Sequence, residues 1–436
     1  MKHLLFPLAV IMLMTSCNNS DTTNTTTASG NGSADAGFQK ITDDFLKGYL
    51  QWRPLNAVSL GFHEYDGQAP DYSKASLDAE YKRLKEYEQK LEAVDTASLS
   101  TKMFYDYRIL LMGIKNEVFT FEDQKSYLAN PMVYAQAIDV NLYIKRNFAP
   151  LEQRLLDIIS VEEKIPAMYE AGKTNLADSL PKPFIETAIA IADGSVSFLN
   201  GDLLVALKEV KNDSMMAHFK EVNTKAIDAA KSYIAWLKKE KLPKGTSHYA
   251  LGTAAYKKML LYSEGIKQSP EEVLAVGLAE LKREQERFNA AAKLINPNKK
   301  PVDVYHEMQK EHPTAESLIP DAKKNLELIR QFIIDKNIVT MPSEVRVQVK
   351  ETPEYARSLG TASMDVPGAF EKKATEAYYY ITPVDPKWTA QQKEDWLSSF
   401  DFYTTDNVTI HEAYPGHYTQ FLHLNASSAT MIEKIF

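Results

Sequence analysis

Apolar positions along the chain recur mostly at steps of three and four. Leu77, Tyr81, Leu84, Tyr87 and Leu91 fall on one face of a helix. Ser269-Pro270-Glu271-Glu272 opens another, with a serine N-cap, a proline at the first helical position and a glutamate placed to close a capping box. Leu274, Leu278, Leu281 and Phe288 continue that helix's apolar face. Thr389-Ala390-Gln391-Gln392 is a similar start for a helix carrying Trp396 and Phe400. Prolines and glycines near 181–183, 243–245, 297–301 and Pro342 punctuate these runs as loops. There is no evident internal repeat. The pattern predicts a mostly α fold with a large helical body.

Two stretches depart from that rhythm. Val345, Val347 and Val349 alternate with Arg346, Gln348 and Lys350, a period of two that marks a half-buried strand. The aromatic run Tyr378 to Ile381, bounded by Pro383, marks a second. The expected product is a small antiparallel β-sheet just ahead of the His411 region. It would serve either as an edge for pairing with an extended peptide or as a packing hairpin with no ligand.

Composition adds bounds. The chain has 436 residues, 44% of them hydrophobic and 10% aromatic, enough for one large domain or two lobes. The net charge of −8, with no basic patch interleaved with aromatics, argues against nucleic acid as a partner. Lys2 and His3 precede the apolar run Leu4 to Met14 and then Thr15-Ser16-Cys17, the layout of a secretory signal. Small residues before the only cysteine suggest a lipoprotein signal over 1–16, with Cys17 as the lipid attachment and Asn18 favouring export to the outer membrane. Residues 17–37 are almost wholly small and polar and are expected to be a flexible tether. The body is then expected over 38–436. No run after residue 17 reads as long and apolar enough to span a bilayer, so contact with the membrane is expected only through the lipid.

The candidate chemistry lies in His411-Glu412-Ala413-Tyr414-Pro415-Gly416-His417. Zinc hydrolases use neutral imidazoles as ligands and a nearby carboxylate as base. In the regular motif two histidines four apart share one helix face. Here they are six apart, and at roughly 100° per residue the second ring would point about 240° away on an unbroken helix. Pro415 disrupts helical bonding and Gly416 relaxes the backbone, so a local bend there could return His417 to the side of His411. Otherwise the helix simply ends at Pro-Gly and His417 is an ordinary polar residue.

The ten residues from His411 to Gln420 resemble the signature of a bacterial family known as domain of unknown function number eight hundred and eighty-five. Ala377 to Pro383, Trp388 and the run to Phe402 resemble the segment leading into it. Pro54 to Gly61 with Tyr65-Asp66 resembles the family's opening. The resemblance implies a zinc-peptidase-like fold in a lipid-anchored peptide hydrolase of the cell envelope. His411 and His417 would be metal ligands to Zn2+, and Glu412 the general base. It also implies a third ligand, the glutamate of a downstream Glu-Gly-Trp. That tripeptide does not occur before Phe436, so the expectation is two ligands present, one missing, and negligible turnover in this chain. Glu433 is the only carboxylate after Glu412 that could substitute.

Around that centre, Asp406 and Gln420 could orient the imidazoles, although Asp406 or Asn407 could equally cap a helix. His423 reads as a non-ligand. Tyr378, Tyr379 or Tyr380 could donate to a developing oxyanion or simply pack. No Gly-x-Ser-x-Gly elbow, phosphate loop or dinucleotide turn occurs, and His63-Glu64 and His306-Glu307 have no second histidine nearby. The expected partner is a peptide substrate. The competing class is a non-catalytic envelope lipoprotein that binds peptides or glycans and retains a residual motif.

Overall fold

A computed structural model describes residues 29–136, 139–353, 356–357 and 360–436. The signal, Cys17 and most of the expected tether lie outside the described residues. The fold is mostly helical, as the periodicity predicts, and three buried apolar clusters organise it.

The first cluster joins the helices Ser29–Trp52, Lys74–Glu92 and Thr101–Glu122 through Phe45, Leu84, Leu110 and Ile114, all fully buried. Leu77, Leu84 and Leu91 bury as their spacing requires, while Tyr81 and Tyr87 pack at the edge. Burying a leucine contributes about 1.5–3 kcal/mol, so this stripe alone outweighs helix propensity. The opening helix begins at Ser29 rather than Phe38, a correction to the expected tether. Ala34 packs against the cluster and the Asp35 carboxylate accepts the Ser100 backbone N–H at 2.9 Å. A polar composition was therefore no bar to order, because the bundle supplied contacts that the segment lacks by itself.

The second cluster packs Leu151–Glu162, Ile165–Asn175, Lys182–Asn200 and Asp213–Trp236 around Leu155, Ile158, Ile185 and Phe219. One stretch here, Lys182–Ala206, is 25 residues long and apolar enough by length and composition to cross a bilayer, contrary to the sequence expectation. It buries Ile185, Ala188, Ala192 and Leu199 in this core instead, packed along Asp213–Trp236.

The third cluster holds the sheet. Strands β1 (Val347–Glu351), β2 (Ala362–Asp365) and β3 (Ala377–Ile381) lie in the order β1-β3-β2. Both predicted strands form, but they pair in parallel, Val347 opposite Ala377, and only β2 runs antiparallel to β3. The sheet is therefore mixed, a correction with a clear cause. A tight hairpin would impose antiparallel pairing, whereas the segment between β1 and β3 is long enough to cross over and carries β2 on its way. Val347, Val349, Tyr379 and Ile381 face the helix Leu318–Asp335 and the His411 region.

Both expected capping boxes are present, at Ser269/Glu272 and Thr389/Gln392. The helix Pro270–Ile295 is amphipathic as read, yet Leu274, Leu278, Leu281 and Phe288 are 44–60% exposed. Periodicity identified the face, but burial of a face depends on a neighbour.

Candidate functional site

Helix Phe402–Glu412 starts at Asp401, whose carboxylate accepts the N–H groups of Tyr403 and Thr404 at 3.1 and 2.9 Å. Asp401 is thus the cap, rather than Asp406 or Asn407. The helix stops at Glu412, and a second helix, His417–Ala426, starts four residues after Ala413 has left helical geometry. The peptide bond Tyr414–Pro415 is cis, and Gly416 has φ −72° and ψ −137°.

Two tyrosines pin this bend. Tyr414 and Tyr418 are fully buried with their rings edge to face, centroids 5.7 Å apart. The Val347 N–H donates to the Tyr414 hydroxyl at 3.3 Å, and the Tyr418 hydroxyl donates to the Val345 carbonyl at 2.9 Å. Both ends of the bend are therefore tied to the start of β1. Thr419 adds its N–H and hydroxyl to the Ala413 carbonyl, which the interrupted helix leaves free. At Gly416 the His411 carbonyl oxygen comes within 1.8 Å of where a Cβ would sit, so only glycine permits the close approach.

The result brings the two imidazoles together. His411 Nε2 lies 3.1 Å from His417 Nε2, with the rings nearly perpendicular at 85° and both side chains exposed. Two nitrogens on one tetrahedral zinc, each about 2.0–2.1 Å from the metal, stand about 3.3 Å apart. The donor pair therefore fits a shared zinc ion in spacing and in chemistry. Among the described residues no group of three histidine, cysteine or acidic side chains is arranged to hold a metal ion, here or elsewhere. Glu433 closes the capping box of Met431–Ile435 with its oxygen 2.7 Å from the Thr430 nitrogen, so its carboxylate is committed to that helix start. His423 lies 2.9 Å from the Thr340 carbonyl through Nε2.

Glu412 is half-buried at the end of the first helix. Burial above all pushes the Tyr379 phenol up to about 12, with the Thr409 hydrogen bond acting against it and the Glu412 charge adding a smaller push. Tyr379 lies 3.4 Å from the Thr409 hydroxyl and is otherwise enclosed. Strand alternation sends Tyr378 and Tyr380 to the opposite face. There Tyr378 donates to the Lys145 carbonyl at 3.1 Å and stacks under Lys350, and burial and the Asp365 carboxylate raise the Tyr380 phenol. Of the three, only Tyr379 faces the motif. Gln420 is exposed three residues after His417, one helical turn along the same side. Asp406 is exposed in a hollow of about 190 Å³ lined by Leu318 and Phe402.

Sequence reasoning missed β2, which packs against Phe402–Glu412 and is the sheet edge beside the motif. Its four residues, Ala-Ser-Met-Asp, do alternate, with Ala362 and Met364 toward the core, but the run is too short and too poor in β-branched or aromatic residues to stand out. The anchoring role of Tyr414 and Tyr418 was also missed, although two tyrosines four apart across Pro-Gly were in plain view.

None of the curated proteins matches the chain. A solved structure from Shewanella oneidensis, described as a candidate lipoprotein of unknown function, superimposes with a TM-score of 0.70 at 23% identity, covering 92% of this chain and 74% of that one. A second, from Colwellia psychrerythraea and also described as a candidate lipoprotein, gives 0.69 at 13% identity, covering 88% and 71%. At those identities the likeness establishes a shared fold. The sequence pattern of one family spans residues 54–436, and the chain belongs to that family, described as bacterial protein of unknown function (DUF885).

Proposed function

We propose that the protein is a zinc-dependent peptide hydrolase of the bacterial envelope, held to the membrane by lipid on Cys17. The observation that carries this reading is the 3.1 Å approach of two imidazole nitrogens from different helices, next to a glutamate. His411 and His417 would hold the ion through Nε2. When bound, zinc would supply Lewis acidity that makes water a better nucleophile at neutral pH.

The remaining steps belong to the chain's own groups. Glu412 accepts a proton from the attacking water and returns it to the leaving amine nitrogen, acting as base and then acid. β2, an edge strand packed on the motif helix, would offer backbone groups to an extended peptide, apart from the Asp365 carbonyl that accepts Arg146. Two histidines fill only two of the positions around a zinc ion, so they alone should bind it weakly.

Zinc titration of the 436-residue protein tests the donor pair without any assay of turnover. Weak binding that disappears in both His411→Ala and His417→Ala but survives in Glu412→Gln is the expected pattern. Binding indifferent to either histidine would sink the proposal and leave the non-catalytic lipoprotein as the better reading. In a form that cleaves peptides, Glu412→Gln should retain the metal and lose cleavage.

A further inference from the structure

A cavity of about 440 Å³ opens where Lys74–Glu92, Thr101–Glu122 and Ile165–Asn175 meet, on helices that contribute nothing to the histidine pair. Its size is that of a small-molecule site. The walls are chiefly Leu77, Tyr81, Phe121, Tyr127 and Leu128. The aromatic members form a continuous surface: Tyr81 to Phe121 is 5.7 Å and Phe121 to Tyr127 is 5.0 Å between centroids. Trp52 stands edge-on behind Tyr127 at 6.0 Å.

Charges at the rim are unequal in their commitments. Lys74 pairs with Asp78 at 2.9 Å. Glu122 accepts the Tyr81 hydroxyl at 2.6 Å and has Lys85 at 3.7 Å, a lysine whose closer partner is Glu88 at 2.6 Å. Lys125 has no carboxylate within ion-pair distance among the described residues, and its side chain is exposed at the mouth. Its backbone is also unusual, with φ 52° and ψ 42°, the left-handed region that a lysine rarely enters. The rim therefore carries two lysines and two carboxylates, and Lys125 is the one of the four without an ion-pair partner among the described residues, at a position the chain holds in a costly conformation.

We infer that this cavity binds a small aromatic carboxylate, its ring against Phe121 and Tyr127 and its anion on the Lys125 ammonium. Offset or edge contacts with the wall supply the apolar part, and a charge-assisted hydrogen bond supplies the selectivity. The site is independent of the histidine pair, so it stands or falls apart from the hydrolase reading.

The test uses 3-phenylpropionate and its amide, which differ only in charge, followed by calorimetry and by Trp52-sensitive fluorescence on the whole protein. The acid should bind saturably and about three- to ten-fold more tightly than the amide, the range for a partly exposed charged contact. Lys125→Asn, which suits the left-handed backbone and removes the charge, should bring the acid down to the level of the amide. Thr174→Trp, at the rim, should abolish binding of both. No saturable binding of the acid, or equal binding of acid and amide by the unaltered protein, overturns the inference without reliance on any variant.

Discussion

The His63 imidazole lies 2.8 Å from the Glu371 carboxylate, 308 positions further along the chain, while its other nitrogen faces Asp66 at 3.1 Å. Around this contact Phe62 stacks on Phe370 at 4.5 Å and the Phe370 N–H donates to the Leu60 carbonyl at 2.8 Å. The clasp ties the opening helices to the loop that feeds β3, and so to the strand carrying Tyr379.

Burial acts to lower the His63 pKa, but hydrogen bonds to Glu371 and Asp66 outweigh it and raise the imidazole. Burial likewise acts to raise Glu371, yet the Lys373 N–H and His63 leave it lowered. A raised histidine gives stability that is present below its unfolded value, about 6.5, and lost as pH rises through the folded value. A lowered glutamate gives stability that is present above about 4.5 and lost as pH falls through its folded value. Glu371→Gln should therefore destabilise most between about pH 4.5 and 6.5, by about 1–3 kcal/mol, with a smaller difference at pH 9. Urea midpoints of the two proteins across pH check this, and a difference that grows toward pH 9 would refute it.

Asp157 sits against Gly67 in the same neighbourhood, and burial together with the Asp66 charge pushes it up to about 6. A raised carboxylate stabilises the fold only while protonated, so this contribution is lost as pH rises from about 4 through 6. Asp157→Asn should leave stability unchanged at pH 4 and increase it at pH 7 by about 1–2 kcal/mol, after allowance for partial solvent screening. Thermal midpoints at the two pH values decide the matter.

Glu162 is a starker case, fully buried with neither oxygen bonded, and burial alone pushes it up to about 8. It is mainly neutral at pH 7, where Glu162→Gln should change stability by less than about 1 kcal/mol. Above pH 8 the wild type must bury a charge or open, so its stability should fall while the glutamine variant's stays level. A parallel decline in both proteins between pH 7 and 9.5 would rule this out.

These groups also show what the sequence did and did not disclose. Helix faces such as Leu77-Leu84-Leu91, the capping boxes and both long strands were legible, because periodicity and caps are local signals. His63 showed no partner in the sequence, since Glu371 lies 308 positions away. Pairing direction between β1 and β3, the order of Ser29–Gly37 and the exposure of Leu274 to Phe288 all depended on which neighbour arrived. The convergence of His411 and His417 was foreseeable as a bend at Pro-Gly, but its anchoring to Val345 and Val347 was not.

Gly416 is where that convergence can be broken with least collateral change. A Cβ there would lie 1.8 Å from the His411 carbonyl oxygen and 2.4 Å from both its carbon and the Ile410 oxygen. These are backbone atoms of the preceding helix, so no rotamer can relieve the overlap and the two helices must separate. Tyr414 and Tyr418 hold the bend to β1 from below, so the displacement should fall on the exposed side, where the imidazoles meet. Gly416→Ala should therefore cost about 1–3 kcal/mol in stability, as overpacking usually does, and widen the gap between the two Nε2 atoms. Zinc affinity should drop far more than stability, because a ligand displaced by an ångström no longer reaches an ion that needs about 2.0–2.1 Å. Zinc titration beside chemical denaturation separates the two effects. An alanine variant that binds zinc as the parent does would show that the approach of the rings is not set at Gly416.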